Sequence, residues 1–425
     1  MPFDCALDDP ATPLVTAPRL TLLVAAALAA LAGCGSGKDS GMIVVDHPNP
    51  DAPIAYAYVA SAAATPGSAG AVYEYAILSD YSVSPLTPAS VGAGISPSAL
   101  VVNAGHVYVV NVGDGTISQY TIGADNTLTP MNPASVTNPG MHTFGGTSGA
   151  AAVDPSGNYL YVANTADDTL SQFGIGGDGR LTPLAPSTVA TGSQPVAIVT
   201  NTSSSGGVVY VVASGALGDI GTVAQYSEAA NGTLTPANAA PLPAGTNPSG
   251  MAIDAAYSTA YVLSNCNGTQ CTGSITQFTD GNSALTDGSL TDTGIVVTTA
   301  SHFNAASMVI DGAGANGYVL GNQMGVDTLS GALWHFQVGS TGALTAASAS
   351  PVTLAGVAVA QALPIQGSAL YVLTTNTGAN AGAPATGGSI ALYTLGTGGT
   401  PTLEATTTLA APYPAALGIK VLLPP

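Results

Sequence analysis

Asn158-Tyr-Leu-Tyr161-Val162-Ala-Asn164, then Thr165-Ala-Asp167-Asp168, then Thr169-Leu170-Ser-Gln-Phe173-Gly-Ile175, then Gly176-Gly-Asp178-Gly179 and Arg180-Leu181-Thr182-Pro183: this run decides the fold. Apolar residues alternate within each segment, and β-branched and aromatic types dominate them, which predicts strands. Asp178-Gly179 is a tight-hairpin dipeptide. The run therefore reads as an antiparallel β-meander.

The chain repeats this meander seven times. A Tyr-Val pair marks the first strand quoted at Tyr58, Tyr108, Tyr161, Tyr210, Tyr261, Tyr318 and Tyr371, with successive spacings of 50, 53, 49, 51, 57 and 53 residues. The next strand ends on an aromatic: Tyr75, Tyr120, Phe173, Tyr226, Phe278, Phe336 and Tyr393. A further strand opens on Leu-Thr or a relative of it, placing Leu86, Leu128, Leu181, Leu234, Leu285, Leu344 and Leu403 at equivalent positions. A fourth, small-residue strand precedes each Tyr-Val, as at Pro97–Val102, Pro195–Val199 and Pro248–Asp254. A period near ~50 residues with four strands per unit predicts an all-β, seven-bladed β-propeller of four-stranded antiparallel blades. The single Trp334 excludes a repeat that needs one tryptophan per blade.

The Tyr-Val strands carry a following Asn at Asn111, Asn164 and Asn265. Together with the Gly/Asp-x-Leu-Thr-Pro strand, they resemble the lactonase-type seven-bladed propellers, which include 6-phosphogluconolactonase-like proteins, and their Tyr-Val-Thr-Asn-repeat relatives. The resemblance spans roughly residues 50–423. It implies the propeller fold and a lactone-directed activity. In the muconate-lactonising relatives it implies a histidine working with arginine and glutamate. His142 and His302 can stand for the histidine, but no arginine accompanies them in sequence.

The N-terminal region predicts an address. Residues 20–31 form an apolar run behind Arg19, shorter than the ~20 residues of a membrane span and of signal-peptide length. Leu31-Ala-Gly-Cys34 follows, in the pattern of a bacterial lipobox with Cys34 as the lipidation site. Residues 1–33 thus read as a signal peptide and 34–52 as a lipid-anchored flexible tether, with 53–425 as the propeller. Asp4, Asp8 and Asp9 do not suit a signal peptide's positive start, so residues 1–14 read as a misplaced translation start. The expected location is the cell envelope, at the outer membrane or cell surface. Because the ordered repeat opens on a second strand, the C-terminal Pro414–Val421 is expected to complete the first blade, with Met42–Asp46 as its rival.

Composition narrows the partners. The chain has 4 Lys and Arg against 23 Asp and Glu, net −19, which repels a phosphate backbone and excludes nucleic acid. A monomer is expected. Cys266 and Cys271 are close enough in sequence for a disulfide in an oxidising compartment.

Chemistry is expected on the face carrying the inter-blade loops, called the upper face here. His142 and His302 are the catalytic candidates, since imidazoles serve general acid–base work. Asp114, Asp167, Asp168, Gln194, Asp219, Asn247 and Asp327 are the binding candidates. Asp154, Asp254 and Asp311 read as turn formers on the opposite face. No metal motif occurs and no cofactor is expected, although two imidazoles and several carboxylates would admit a divalent cation. A phosphosugar substrate is disfavoured, because Lys38, Arg180 and Lys420 all fall away from the upper loops. The preferred expectation is a binding or scaffold module for a glycan, envelope component or protein. The alternative is a lactone hydrolase or lactonising enzyme on an uncharged substrate.

Overall fold

In the third repeat, alternation becomes a sheet. Tyr159–Asn164 pairs antiparallel with Thr169–Ile175, Thr169 opposite Asn164 and Gly174 opposite Tyr159. Leu181–Ala190 continues outward and Ala151–Val153 lies on the other side. The computed structural model describes residues 52–421 except 142–148, 204–205, 217–218, 238–239, 255–258, 266–271, 280–289, 302, 325–328, 348–350, 355–357, 367–368 and 376–386. Of two compact units, Met1–His47 and Pro48–Pro425, only the second contains described residues. The expected signal peptide, Cys34, the rival segment Met42–Asp46 and the expected Cys266–Cys271 pair lie outside them.

Seven antiparallel sheets form, one per repeat. In blades 4 and 6 the outermost strand comes in two pieces on one edge: Leu234–Pro236 with Leu242–Thr246, and Leu344–Ala346 with Val352–Leu354. The one helical element among the described residues is the short turn Thr397–Gly399, so none is long and apolar enough to cross a membrane. The innermost strands of successive blades touch in a closed circuit.

Blade 1 is composite. Its order is Val83–Ile95, Ala69–Leu78, Pro53–Ala62 and then Tyr413–Val421 from the far end of the chain. Tyr58 lies opposite Gly418 and Val59 opposite Leu417. The C-terminal strand therefore closes the ring, as its resemblance to the Pro97 and Pro248 strands implies.

Seven apolar clusters fill the seven seams between blades. The Tyr-Val pair explains why, because adjacent strand residues face opposite ways. Every Tyr faces the following blade: Tyr108 packs with Leu160 and Phe173, and Tyr161 with Val209 and Tyr226. Every Val faces the preceding blade: Val109 packs with Tyr58, and Val162 with Tyr108. Both members are buried in all seven repeats. Burying one such side chain contributes about 1.5–3 kcal/mol.

The tyrosine hydroxyl then reaches the turn before the next blade's outermost strand. Tyr58 donates to the carbonyl of Asn126 at 2.8 Å, Tyr108 to Gly179 at 2.6 Å, and Tyr161 to Gly232 at 2.7 Å. Tyr261 donates to Gly342 at 2.6 Å and Tyr318 to Gly399 at 2.5 Å. Each acceptor has positive φ, from 63° at Asn126 to 80° at Gly179 and Gly232. The glycine or asparagine of the turn is thus what aims the carbonyl across the seam.

A second tie starts at the residue before each strand-ending aromatic. Gln119 accepts from the Leu181 amide at 2.8 Å, Gln172 from Leu234 at 2.6 Å and Gln225 from Leu290 at 3.2 Å. Glu74 does the same for Leu128 at 2.8 Å. This corrects three strand markers. In blade 5 the tie is made by Leu290, just ahead of the outer strand Thr291–Ser301, and Leu285 lies outside the described residues. Pairing puts Val83, not Leu86, opposite Ile77 in blade 1, and Pro401, not Leu403, opposite Leu395 in blade 7.

Candidate functional site

The upper face is built where an outermost strand crosses to the next blade's innermost strand. At three crossovers the residue before a proline has left-handed backbone: Ser96 (φ 52°), Gln194 (φ 56°) and Asn247 (φ 46°). A side chain disfavours this region and a following proline restricts it further, so such a residue costs about 1–3 kcal/mol. The surrounding loop holds it. Ser96, Gln194 and Asn247 each offer a carbonyl to the loop after the Tyr-Val strand, accepting from Val112 at 3.1 Å, Ser214 at 2.9 Å and Asn265 at 3.0 Å. A register shift follows each proline. The crossovers therefore present Gln194, exposed, and Ser96 and Asn247, half-buried, at the start of the innermost strands.

The acidic candidates brace these crossovers. Asp114 accepts from the Ile95 amide at 2.9 Å and from the Thr116 hydroxyl at 2.7 Å. Asp168 accepts from the Gln194 amide at 2.7 Å, which brings two of the candidates together. The Asp167 amide closes a turn onto Asn164, and that of Asp219, exposed, a turn onto Ala216. His142, His302 and Asp327 lie outside the described residues.

Asn111 and Asn164 each donate to a Thr and a Ser on the neighbouring strand, Thr116 with Ser118 and Thr169 with Ser171, at 2.9–3.0 Å. Asn265 is not their equivalent. Ser264 is, since it faces Pro248 as Asn111 faces Pro97. Ser96 was absent from the sequence candidates although it sits where Gln194 and Asn247 do. The Xaa-Pro step at the head of the innermost strands of blades 2, 4 and 5 is the signal that marks it.

Charge divides the two faces. The described cations belong to the lower face: Arg180 pairs with Asp178 in a turn between outer strands, and Lys420 donates to Asn126 at 2.8 Å. The described histidines lie there too. His335 is buried against Tyr318, 2.9 Å from Asn316, and burial lowers its pKa. His106 adjoins the Gly179 turn, and its pKa is lowered mainly by burial. Asp154 accepts from the Ser156, Asn158 and Tyr159 amides, a turn former as its position implies. Among the described residues, no three His, Cys, Asp or Glu side chains gather to hold a metal ion. The described upper face offers amides, hydroxyls and carboxylates, a set that can hydrogen-bond a neutral polar ligand and would repel an anion.

Comparison with solved structures gives the same fold at low identity. The periplasmic gluconolactonase of Pseudomonas aeruginosa is 18% identical, covering 87% of this chain and 99% of its own, with a TM-score of 0.64. A protein from Bacteroides uniformis, assigned provisionally as a 6-phosphogluconolactonase, is 17% identical over 86% of this chain and 99% of its own, TM-score 0.65. A hypothetical selenium-binding protein from Sulfolobus tokodaii is 9% identical over 87% and 94%, TM-score 0.60, so this likeness speaks for fold alone. No curated protein sequence matches. The pattern that defines the family described as "Lactonase, 7-bladed beta-propeller" matches residues 56–353, well over half of the sequence. The chain belongs to that lactonase family of seven-bladed β-propellers.

Proposed function

We propose that this protein is a lactone hydrolase acting on an uncharged lactone at its upper face. The family match over residues 56–353 carries the reading, and it outweighs the binding-module expectation drawn from the missing cations. Absence of a described cation at the upper loops then bears on substrate charge rather than on catalysis. Hydrolysis adds water across the ester: a base takes a proton from water as oxygen attacks the carbonyl carbon. The ring C–O bond then breaks and its oxygen receives a proton, giving a hydroxy acid. His142 and His302 are the acid–base candidates, and Gln194 and Asn247 the candidates for holding the substrate's polar groups.

A lactone panel on residues 42–425, with and without divalent cation, tests this. Turnover of neutral lactones is expected to exceed that of phosphorylated ones. His142→Ala or His302→Ala should lower kcat by about 10²–10⁴. Loss of neither, or no turnover at all, would return the protein to a binding role.

We also infer an extracytoplasmic, lipid-anchored location. Support comes from the apolar run at residues 20–31 and the Leu31–Cys34 pattern, and from likeness to a protein described as periplasmic. Cys34→Ser is expected to move the chain from the membrane fraction to the soluble one, or to block processing. Unchanged fractionation would remove the anchor.

A further inference from the structure

The seam between blades 1 and 2 is open at a position where the seam between blades 2 and 3 holds a buried side chain. Strand pairing places Gly92, Ala93 and Gly94 of blade 1 level with Thr137, Asn138 and Pro139 of blade 2 and with Ala190, Thr191 and Gly192 of blade 3. In the second seam Asn138 is buried and donates to Asn164 at 2.8 Å. In the first seam Ala93 stands at that position, and no side chain larger than methyl occupies the triplet. A cleft of about 220 Å³ remains there, lined on the facing blade by Asp114, Thr116, Ser118, Tyr120, Pro130 and Ser135.

We propose that this cleft is a binding site for one neutral, hydroxyl-rich ring, a sugar unit. Its size lies below the ~300–1,000 Å³ of drug-sized ligand sites, which limits it to about one ring. Its walls combine a carboxylate, three hydroxyls and the flat rings of Tyr120 and Pro130. Asp114 is the one charged lining residue, so the cleft disfavours anions. Asp114 already accepts two hydrogen bonds, and a carboxylate has lone pairs for about two more. Ser118 accepts from Asn111 at 2.9 Å and interacts with Tyr120, which leaves Thr116 and Ser135 as further hydroxyls on the wall. Tyr120 is fixed in place by its 2.6 Å bond to the Gly92 carbonyl. The site is thus held rigid by its own hydrogen bonds and still has capacity for a ligand's hydroxyls.

Ala93 makes the site testable. It lines the cleft and packs on the seam between blades 1 and 2, so a larger side chain there fills the space. The probes are the methyl glycosides of glucose, mannose and galactose, standing for the end of a glycan chain, with the free hexoses and glucuronate alongside. Ligand-observed NMR on the full-length protein is expected to detect at least one neutral probe and not glucuronate. Preference for a glycoside over its free hexose identifies a chain end, and the reverse a free sugar. Ala93→Leu is expected to weaken binding at least about tenfold with an unchanged melting temperature. Ser135→Leu, on the opposite wall, repeats the block should Ala93→Leu fail to fold. No binding of any neutral probe, a preference for glucuronate, or undiminished binding in a folded blocking variant would overturn the proposal.

Discussion

The seam between blades 3 and 4 and the seam between blades 7 and 1 are closed by different means. At the first, Tyr161 donates to Gly232 and Gln172 receives the Leu234 amide. At the second, the turn facing Tyr371 is Ser79-Asp80-Tyr81-Ser82, with Tyr81 at φ 68° where other blades have Gly or Asn. The residue before its strand-ending aromatic is Leu392, which cannot accept an amide. No clasp from Tyr371 forms among the described residues. This seam is filled by Tyr371, Leu373 and Leu392 packed on Val59, Tyr75 and Ile77, and the ring closes beside it, inside blade 1, in the ladder between Pro53–Ala62 and Tyr413–Val421. The seam between blades 3 and 4 thus adds side-chain clasps to its apolar packing, whereas the seam between blades 7 and 1 lacks them and lies beside a blade whose inner ladder joins strands from opposite ends of the chain.

The largest expected effect follows from removing that strand. Deletion of residues 413–425 should cause aggregation or a large loss of melting temperature, because the inner edge of blade 1 is left open. Deletion of residues 35–41 should do neither. A soluble truncation with an unchanged melting temperature would mean that the closing joint needs no strand.

A smaller contrast separates the clasps. Tyr161→Phe removes a buried hydrogen bond and leaves the Gly232 carbonyl unpaired, at an expected cost of about 1–3 kcal/mol in urea denaturation. Tyr371→Phe is expected to cost less than about 0.5 kcal/mol. Equal costs would erase the distinction between the seams.

The smallest effect depends on pH and concerns the seam between blades 1 and 2. Glu74 occupies the position held by Gln119, Gln172 and Gln225, and burial raises its pKa to about 7 although the Leu128 amide pulls the other way. Below the ordinary value of 4.5 the carboxyl is protonated in both folded and unfolded chains. Between 4.5 and about 7 the unfolded chain loses its proton first, so this group lowers stability as pH rises. Above about 7 the penalty is constant. Glu74→Gln should therefore raise the melting temperature at pH 8 and leave it nearly unchanged at pH 4. Part of the pH dependence should survive, because Glu228 is likewise raised to about 7, mainly by burial. An equal gain at both pH values would show that charge is not the cause.

The sequence made the ring legible because Tyr, Val and the strand-ending aromatic are buried at every repeat, and burial constrains residue type. It misled at Leu86 and Leu403 because Val83 and Pro401 hold the usual place after the aromatic without being leucine, and at Leu285 because the stretch from Phe278 to Leu290 is longer than its counterparts. The polar tie across seams stayed hidden because its position holds four different residue types, Glu74, Gln119, His335 and Leu392, of which the last cannot accept an amide. The upper face was legible only as a list of loop residues. Asp114 and Asp168 prove to be braces for the crossovers, a role set by backbone direction rather than by any local motif.

The forward-facing tyrosine has one more consequence. Each clasp uses the same donor and the same kind of acceptor, so it conveys direction around the ring but carries no address. Any blade could dock behind any other by these contacts. The order of the seven rests on covalent succession along the chain, and the sum that ends the succession at seven is set by where Tyr413–Val421 finds an unpaired edge.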